Sequence, residues 1–393
     1  MKKLVILAFM GACLSACKNS TYLFGKGKIL NKEVFDVQLP VVMDANLIIV
    51  TLEIEGEDYR FLFDTGAPMV VDKSLRQKLK MKKVTQKSVS DSQGNRQPLD
   101  FVKMPPFKLK HLTAEGFIAV EADLKKSPIL YCLNLDGILG ANFMQKGFWE
   151  LNAVDTTLRF TNDFNRLNTD SVTATIPFTT KNTRTPVITA RVNETEVPNI
   201  TFDTGKSGIF SLPAKFFKTG YQKAPSVLSV GYQTSGLYGS KKDSIYTRNY
   251  RFALGGDSIA ALPIHIQGSS SKKLLGMGYL KHYRVILNWQ KQQIYLQPLK
   301  PLKISAMGRF PFYPKLQDSV VTVGVLYANL GGEGENPSVT LGDTIQSVSN
   351  IDLSRADNAL FCEILEKFRA KDTLQIKLAG QSARTLTRIP LFD

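Results

Sequence analysis

FLFDTGAPMVVD, residues 61–72, sets an acid and a glycine inside a run of apolar residues. A carboxylate at the end of an apolar strand is costly to bury unless it is hydrogen-bonded or paired. The same arrangement returns at residues 200–210, ITFDTGKSGIF. Asp64 and Asp203 lie 139 residues apart (203 − 64), a distance that fits duplicated domains rather than a short-period solenoid.

The likeness extends outward from both acids. LIIVTLEIEGEDYRFLFD before Asp64 and TPVITARVNETEVPNITFD before Asp203 each predict two strands joined by a tight turn. Each Asp-Thr-Gly is followed by an apolar stretch and a short polar piece of helical character, DKSLRQKLK and LPAKFFKTG. LDGILGANFM (135–144) and KLLGMGYL (273–280) place Gly140 and Gly276 at 76 and 73 residues beyond their acids (140 − 64 and 276 − 203). With those glycines aligned, Leu151-Asn152 meets Leu287-Asn288, and TTLRF meets QQIYL as matching closing strands. Short runs of Val, Ile, Leu and Phe between Gly, Pro and Asn turns predict β structure, and neither half has long helical periodicity. The expected fold is mainly β, with two homologous lobes at 34–165 and 166–300.

Peptide hydrolysis by carboxylates needs two acids close enough to share a proton, one acting as base on water and the other polarising the carbonyl. An apolar strand behind each acid holds it on a rigid element. Thr supplies a hydroxyl for backbone across the lobe junction, and Gly allows amides to approach the carboxylate. Asp64-Thr65-Gly66-Ala67 and Asp203-Thr204-Gly205 resemble the active-site motifs of aspartic proteases of the pepsin and retropepsin type. DGILGANF and KLLGMGYL resemble the hydrophobic-Gly segment that threads behind the catalytic loop in that fold. The resemblance covers roughly 34–300 and implies two β-barrel lobes, a dyad of Asp64 and Asp203, support from Thr65, Gly66, Ala67, Thr204 and Gly205, and no cofactor. It also implies a flap hairpin over the cleft, for which residues 88–101 are the candidate, with Gly94-Asn95 at the tip. Lys206 departs from the pattern, standing where the family usually has Ser, Thr or Ala. An ammonium beside the dyad favours ionised carboxylates. The expectation is that its long stem carries the charge to solvent. An ammonium that instead reaches the dyad would work against the shared-proton state, and the alternative reading is a non-catalytic peptide-binding lipoprotein with a degenerate cleft and a PDZ-like module.

Residues 301–393 open on a proline-containing linker and continue with strands and one helical stretch, DNALFCEILEKFRAK, whose expected apolar face is Leu360, Ile364 and Phe368. Their order resembles a small α+β PDZ domain of bacterial protease type, which implies peptide binding by strand addition. The usual carboxylate loop is not evident; LGGEGENPSV stands in its place. At the other end, Lys2, Lys3 and a short apolar stretch lead to Leu14-Ser15-Ala16-Cys17. This resembles a bacterial lipobox, so residues 1–17 are expected to be a signal peptide, Cys17 the lipidated anchor, and 18–33 a linker. The whole layout resembles aspartyl-protease-family lipoproteins of Bacteroidota. That implies the cell envelope, and the lack of an acidic cluster after Cys17 suggests the periplasmic face of the outer membrane.

Composition narrows the alternatives. The 393 residues are 43% hydrophobic and 21% charged, with a net charge of +16, enough for two or three packed domains. Zinc-finger spacing and an RNA-binding aromatic signature are both missing, so the basic charge does not indicate nucleic acid. His111, His265 and His282 lack ligand spacing with one another or with Cys, so no metal is expected. Cys132 and Cys362 fall in different expected domains and are read as small buried hydrophobes rather than a disulfide. GKSG lacks nucleophile-elbow spacing, and no Lys-Ser/Thr follows the glycines of LGGEGENP, against a nucleotide loop. The expected partners are a peptide or protein substrate and the bilayer, with the protein acting as a monomer.

Overall fold

A computed structural model describes residues 19–31, 33–91, 95–217, 226–236, 239–268, 272–302, 308–328 and 339–390. Cys17, Gly94 and most of the LGGEGENPSV segment lie outside the described residues. The fold is mainly β. Among the described residues no helix is long and apolar enough to cross a membrane.

Each acid sits at the end of a hairpin. Leu47–Ile54 pairs with Glu57–Asp64 across a turn whose Glu55 and Gly56 both have positive φ, 54° and 83°, the backbone hand that matches strand twist. Pro186–Val192 pairs with Thr195–Asp203 in the same way, with Asn193 at φ 49° in the turn and a register shift between Ile188 and Ala190. Beyond each acid the chain leaves the sheet and returns as a short strand, Val70–Asp72 in one half and Phe210–Pro213 in the other. Asp72 then caps the helix Lys73–Lys78, accepting from Ser74 N–H.

The hydrophobic-Gly segments fill the gaps so created. Gly137–Gly140 lies parallel to the first acid strand, with Gly140 opposite Asp64, and antiparallel to Val70–Asp72. Leu274–Gly276 lies parallel to the second, with Gly276 opposite Asp203, and antiparallel to Phe210–Pro213. A strand enclosed on both edges and both faces must be short and apolar throughout, which is what GILG and LLG supply. Neither terminal glycine could carry a side chain. A Cβ on Gly140 would enter the backbone of Pro68 and Met69, and one on Gly276 would meet the carbonyls of Gly208 and Lys206.

A six-stranded sheet joins the halves, in the order Ala174–Pro177, Gln293–Pro298, Tyr283–Asn288, Phe148–Asn152, Thr157–Thr161, Asp36–Pro40. The central pair is antiparallel and matches Phe148 with Asn288 and Asn152 with Arg284. Under the alignment of Gly140 with Gly276 these two pairs exchange places, so the contact is self-complementary about a local two-fold axis. Arg284 spans it, 2.5 Å from Glu150 and donating to Asn168 O at 2.7 Å. One hydrophobic core runs through both halves and includes Phe63, Trp149, Phe202 and Leu287.

Residues beyond 300 are tied to both lobes. Phe312–Gln317 and Val320–Ala328 form a hairpin, and Val320–Ala328 also pairs with Val227–Gly236 of the second lobe. The same hairpin packs a separate core with the helix Asn358–Ala370 and a four-stranded sheet. That helix buries Phe361, Ile364 and Phe368, whereas Leu360 is only partly covered, so its apolar face is turned one position from the expected one. Cys132 and Cys362 form a disulfide, with Cα atoms 5.2 Å apart. This corrects the reading of two independent buried thiols. The helix carrying Cys362 packs against Pro128–Cys132 of the first lobe, a contact with no local trace in sequence. Arg369 on the same helix pairs with Asp44 at 3.1 Å.

The bridge closes a loop of 230 residues, so its removal is expected to cost about 2–5 kcal/mol. Denaturant unfolding of the protein and of Cys132→Ser/Cys362→Ser checks this. Equal midpoints would show that the bridge contributes nothing.

Candidate active site

The two acid loops meet at the lobe junction. Thr65 N–H donates to Thr204 Oγ1 at 3.0 Å, and Thr204 N–H donates to Thr65 Oγ1 at 3.0 Å. Each hydroxyl then donates onward, Thr65 to Phe202 O at 2.6 Å and Thr204 to Phe63 O at 2.9 Å. Both threonines are fully buried, where an unpaired hydroxyl or amide would be costly. The acceptor carbonyls belong to the residues just before the two acids, so each loop fixes the base of the other.

This clamp brings the carboxylates together. Asp64 and Asp203 are only 9% and 8% exposed, and their carboxyl groups are within hydrogen-bond reach of each other. Gly66 N–H donates to Asp64 Oδ1 at 2.6 Å, and Gly205 N–H donates to Asp203 Oδ1 at 3.0 Å. A Cβ on Gly66 would collide with the Asp203 carboxyl, and one on Gly205 with the Asp64 carboxyl. Each position thus supplies an amide to its own acid, and it must be glycine because a side chain would occupy the space of the other acid. Behind the loops, Ala141 N–H donates to Ala67 O at 2.9 Å, and Met277 N–H donates to Lys206 O at 2.7 Å. These are equivalent bonds from the two threading segments.

The symmetry ends at Lys206. Its stem packs over Gly276, and a Cβ on Gly208 would lie 3.2 Å from its Nζ. The ammonium thus lies against the Gly208 backbone, while Lys206 as a residue stays partly exposed. The two glycines leave a slot that the sequence pattern alone does not reveal. Among the described residues no carboxylate lies within 4.0 Å of it. Its charge nevertheless acts on Asp203.

Burial raises the pKa of both acids above the carboxylate range. For Asp64 the Asp203 charge adds to that rise, so Asp64 is held well above its usual value. For Asp203 the rise is opposed, first by Lys206, then by hydrogen bonds from Asp64 and Gly205 and by the charge of Lys181. The two acids titrate as one coupled pair, and the cations that act against the rise, Lys206 and Lys181, both stand on the Asp203 side. Lys181 was not singled out from sequence. It reaches this region by donating to Thr201 Oγ1 at 2.6 Å, and no local motif announces it. Asn142 was missed as well. Fully buried, it accepts from Met69 N–H at 2.6 Å and donates to Ile118 O at 3.2 Å, bracing the first loop. A polar residue inside GANF is a signal that could have marked it.

Residues 50–143 match the family model for aspartyl protease. The match takes in Asp64, its loop and Gly137–Gly140, and it supports a hydrolase of peptidase type. A search of curated proteins finds no match. Asp203 lies outside the matched segment and is related to Asp64 by the internal two-fold arrangement. The flap candidate belongs to the hairpin Lys83–Ser90/Arg96–Lys103 at the edge of the first sheet. Near its tip, Asn95 N–H donates to Asp91 Oδ1 at 2.9 Å.

Two stability measurements follow. Thr204→Val is expected to cost about 1–3 kcal/mol for each buried partner it strands, read from denaturant unfolding. Because both dyad pKa values are raised in the folded state, the unfolded chain binds fewer protons above the usual carboxylate range. Stability therefore falls as pH rises through the raised values. Asp64→Asn keeps the shape without the charge, so it should be more stable than the parent at neutral pH, and the difference should vanish in acid.

Proposed function

We propose that the protein is an aspartic endopeptidase that hydrolyses peptide bonds with Asp64 and Asp203 and a water held between them. The observation that carries this reading is the reciprocal clamp that packs each carboxylate over the other loop's glycine. Asp203, ionised beside Lys206 and Lys181, takes a proton from the water as its oxygen attacks the peptide carbonyl carbon. Asp64 gives its proton to the carbonyl oxygen. In the second half, Asp203 returns its proton to the leaving nitrogen, the C–N bond breaks, and Asp64 recovers a proton from the hydroxyl of the tetrahedral carbon. No external proton or cofactor is consumed. Lys206 favours the division of labour this scheme needs.

The hairpin Lys83–Ser90/Arg96–Lys103 is assigned as the flap that closes over substrate, with Asn95 near its tip. The segment after residue 300 is assigned as a PDZ-like module built into the protease. We assign residues 1–17 as a lipoprotein signal with Cys17 as the anchor, which places the protein at the periplasmic face of the outer membrane. The disulfide supports an oxidising compartment.

Cleavage of a peptide library by the full chain in detergent tests the reading. Asp64→Asn and Asp203→Asn should each lower kcat/KM by about a thousandfold or more, and activity that survives either change would exclude the dyad. Lys206→Met removes the cation that lowers the Asp203 pKa. The acid limb of the pH profile should then move to higher pH, and an unmoved limb would show that Lys206 does not act on the dyad.

A further inference from the structure

A cavity of about 230 Å³ opens beside the second acid loop, at the meeting of three parts of the chain. Asn46 comes from the first lobe, Ser207, His265 and Lys281 from the second, and Arg309 and Arg388 from the segment beyond residue 300. Lys206 is not itself a wall residue, but its ammonium lies close to Gly208, which is. Among the described residues no Asp or Glu lines the cavity.

The cations here differ in how far they are already committed. Arg388 is a strut. Its guanidinium donates to Phe368 O at 2.6 Å, Arg369 O at 2.8 Å and Lys371 O at 2.8 Å, at the end of the helix Asn358–Ala370. Lys281 and Arg309 are not so engaged. Lys281 donates to the neutral Asn46 Oδ1 at 2.9 Å, and Arg309 donates to the Gly308 carbonyl at 3.2 Å. Among the described residues neither has a carboxylate partner. Their charges act on each other's surroundings: Arg309 opposes protonation of Lys281 and of His265, and Lys206 also opposes that of His265. Arg388 has Asp372 at 3.7 Å, but the charges of Lys281 and Arg309 meet no carboxylate among the described residues, and like charges gathered around one concave wall in this way are destabilising. They become favourable when an anion enters and makes charge-assisted hydrogen bonds.

The size and position select the anion. Pockets for whole small molecules run from about 300 to 1,000 Å³, so this cavity suits a single side chain or chain end. Ser207 and Gly208, four and five residues after Asp203, form part of its wall, so the cavity lies beside the loop that carries the second acid. We propose that this cavity binds a carboxylate of the peptide substrate, either an acidic side chain or the terminal carboxylate, and that the segment beyond residue 300 completes the specificity site through Arg309. The inference rests on the endopeptidase reading and adds a substrate class to it.

Matched peptides test it, with Glu moved stepwise away from the cleaved bond, Gln controls, and free or amidated C-termini. The full chain should cleave one Glu peptide at least about tenfold better than its Gln twin if the side chain is recognised, or free over amidated ends if the terminus is. Lys281→Gln/Arg309→Gln should bring that ratio close to one, with thermal unfolding confirming that the variant is folded. Cleavage with no preference for either carboxylate would overturn this inference and leave the endopeptidase reading intact. Should no peptide be cleaved, the endopeptidase reading fails, and fluorescence polarisation with the same labelled peptides decides the cavity. Tighter binding of the carboxylate member, lost in the double variant, supports it, and equal binding overturns it.

Discussion

Four hydrogen bonds made by Thr65 and Thr204 hold the loops of two separately built sheets at one point. The acid strands could each end anywhere along the lobe junction; the exchange of hydroxyl and amide between the two threonines leaves one registration. From that follow the contact of the carboxylates, the need for glycine at 66 and 205, and the need for a buried strand behind each loop. Gly137–Gly140 and Leu274–Gly276 serve the clamp by keeping the loops from retreating into the sheets. The antiparallel strands at the base of the molecule enforce the same two-fold relation from the other side.

On this symmetric frame the charges are arranged asymmetrically. Ala67 and Lys206 occupy equivalent positions and make equivalent backbone bonds, yet only one brings a cation. Lys181 adds a second cation on the same side. Two like acids in low dielectric are interchangeable until something distinguishes them. Here that distinction comes from side chains of the second lobe. Asn142 and Gly278 show a further divergence behind the loops. One lobe fills the space with a hydrogen-bonded amide, whereas in the other Gly278 N–H bonds directly to the Gly208 carbonyl.

Much of this was legible from repetition. The doubled Asp-Thr-Gly, the hairpins before it, GILG and LLG, and the closing strands Thr157–Thr161 and Gln293–Pro298 all appear where the internal alignment places them. Such features are local, and each is checked by its copy. What escaped has no copy. The Cys132–Cys362 bond joins residues 230 apart in segments that are not repeats of each other. The path of the Lys206 side chain depends on empty space above Gly208 and Gly276, a property of neighbouring backbone. The strand Val320–Ala328 carries apolar residues at Val321, Val323 and Val325, which predict a strand but not that it would extend the second lobe's sheet while packing a separate core.

That double service bears on how the chain matures. Val227–Gly236 and Lys83–Ser90 are counterparts, each the outer strand of a hairpin whose inner strand pairs with the neighbour of the short strand that follows the acid loop. Among the described residues the outer edge of Lys83–Ser90 bears no further strand in its sheet, whereas that of Val227–Gly236 is covered by Val320–Ala328. During synthesis the second lobe emerges with that edge bare, a template for pairing with another chain. Roughly the last quarter of the polypeptide closes it from within and then fastens to the first lobe through sulfur. A chain released early would thus carry both acid motifs together with an open β-edge, and would tend to associate with its neighbours.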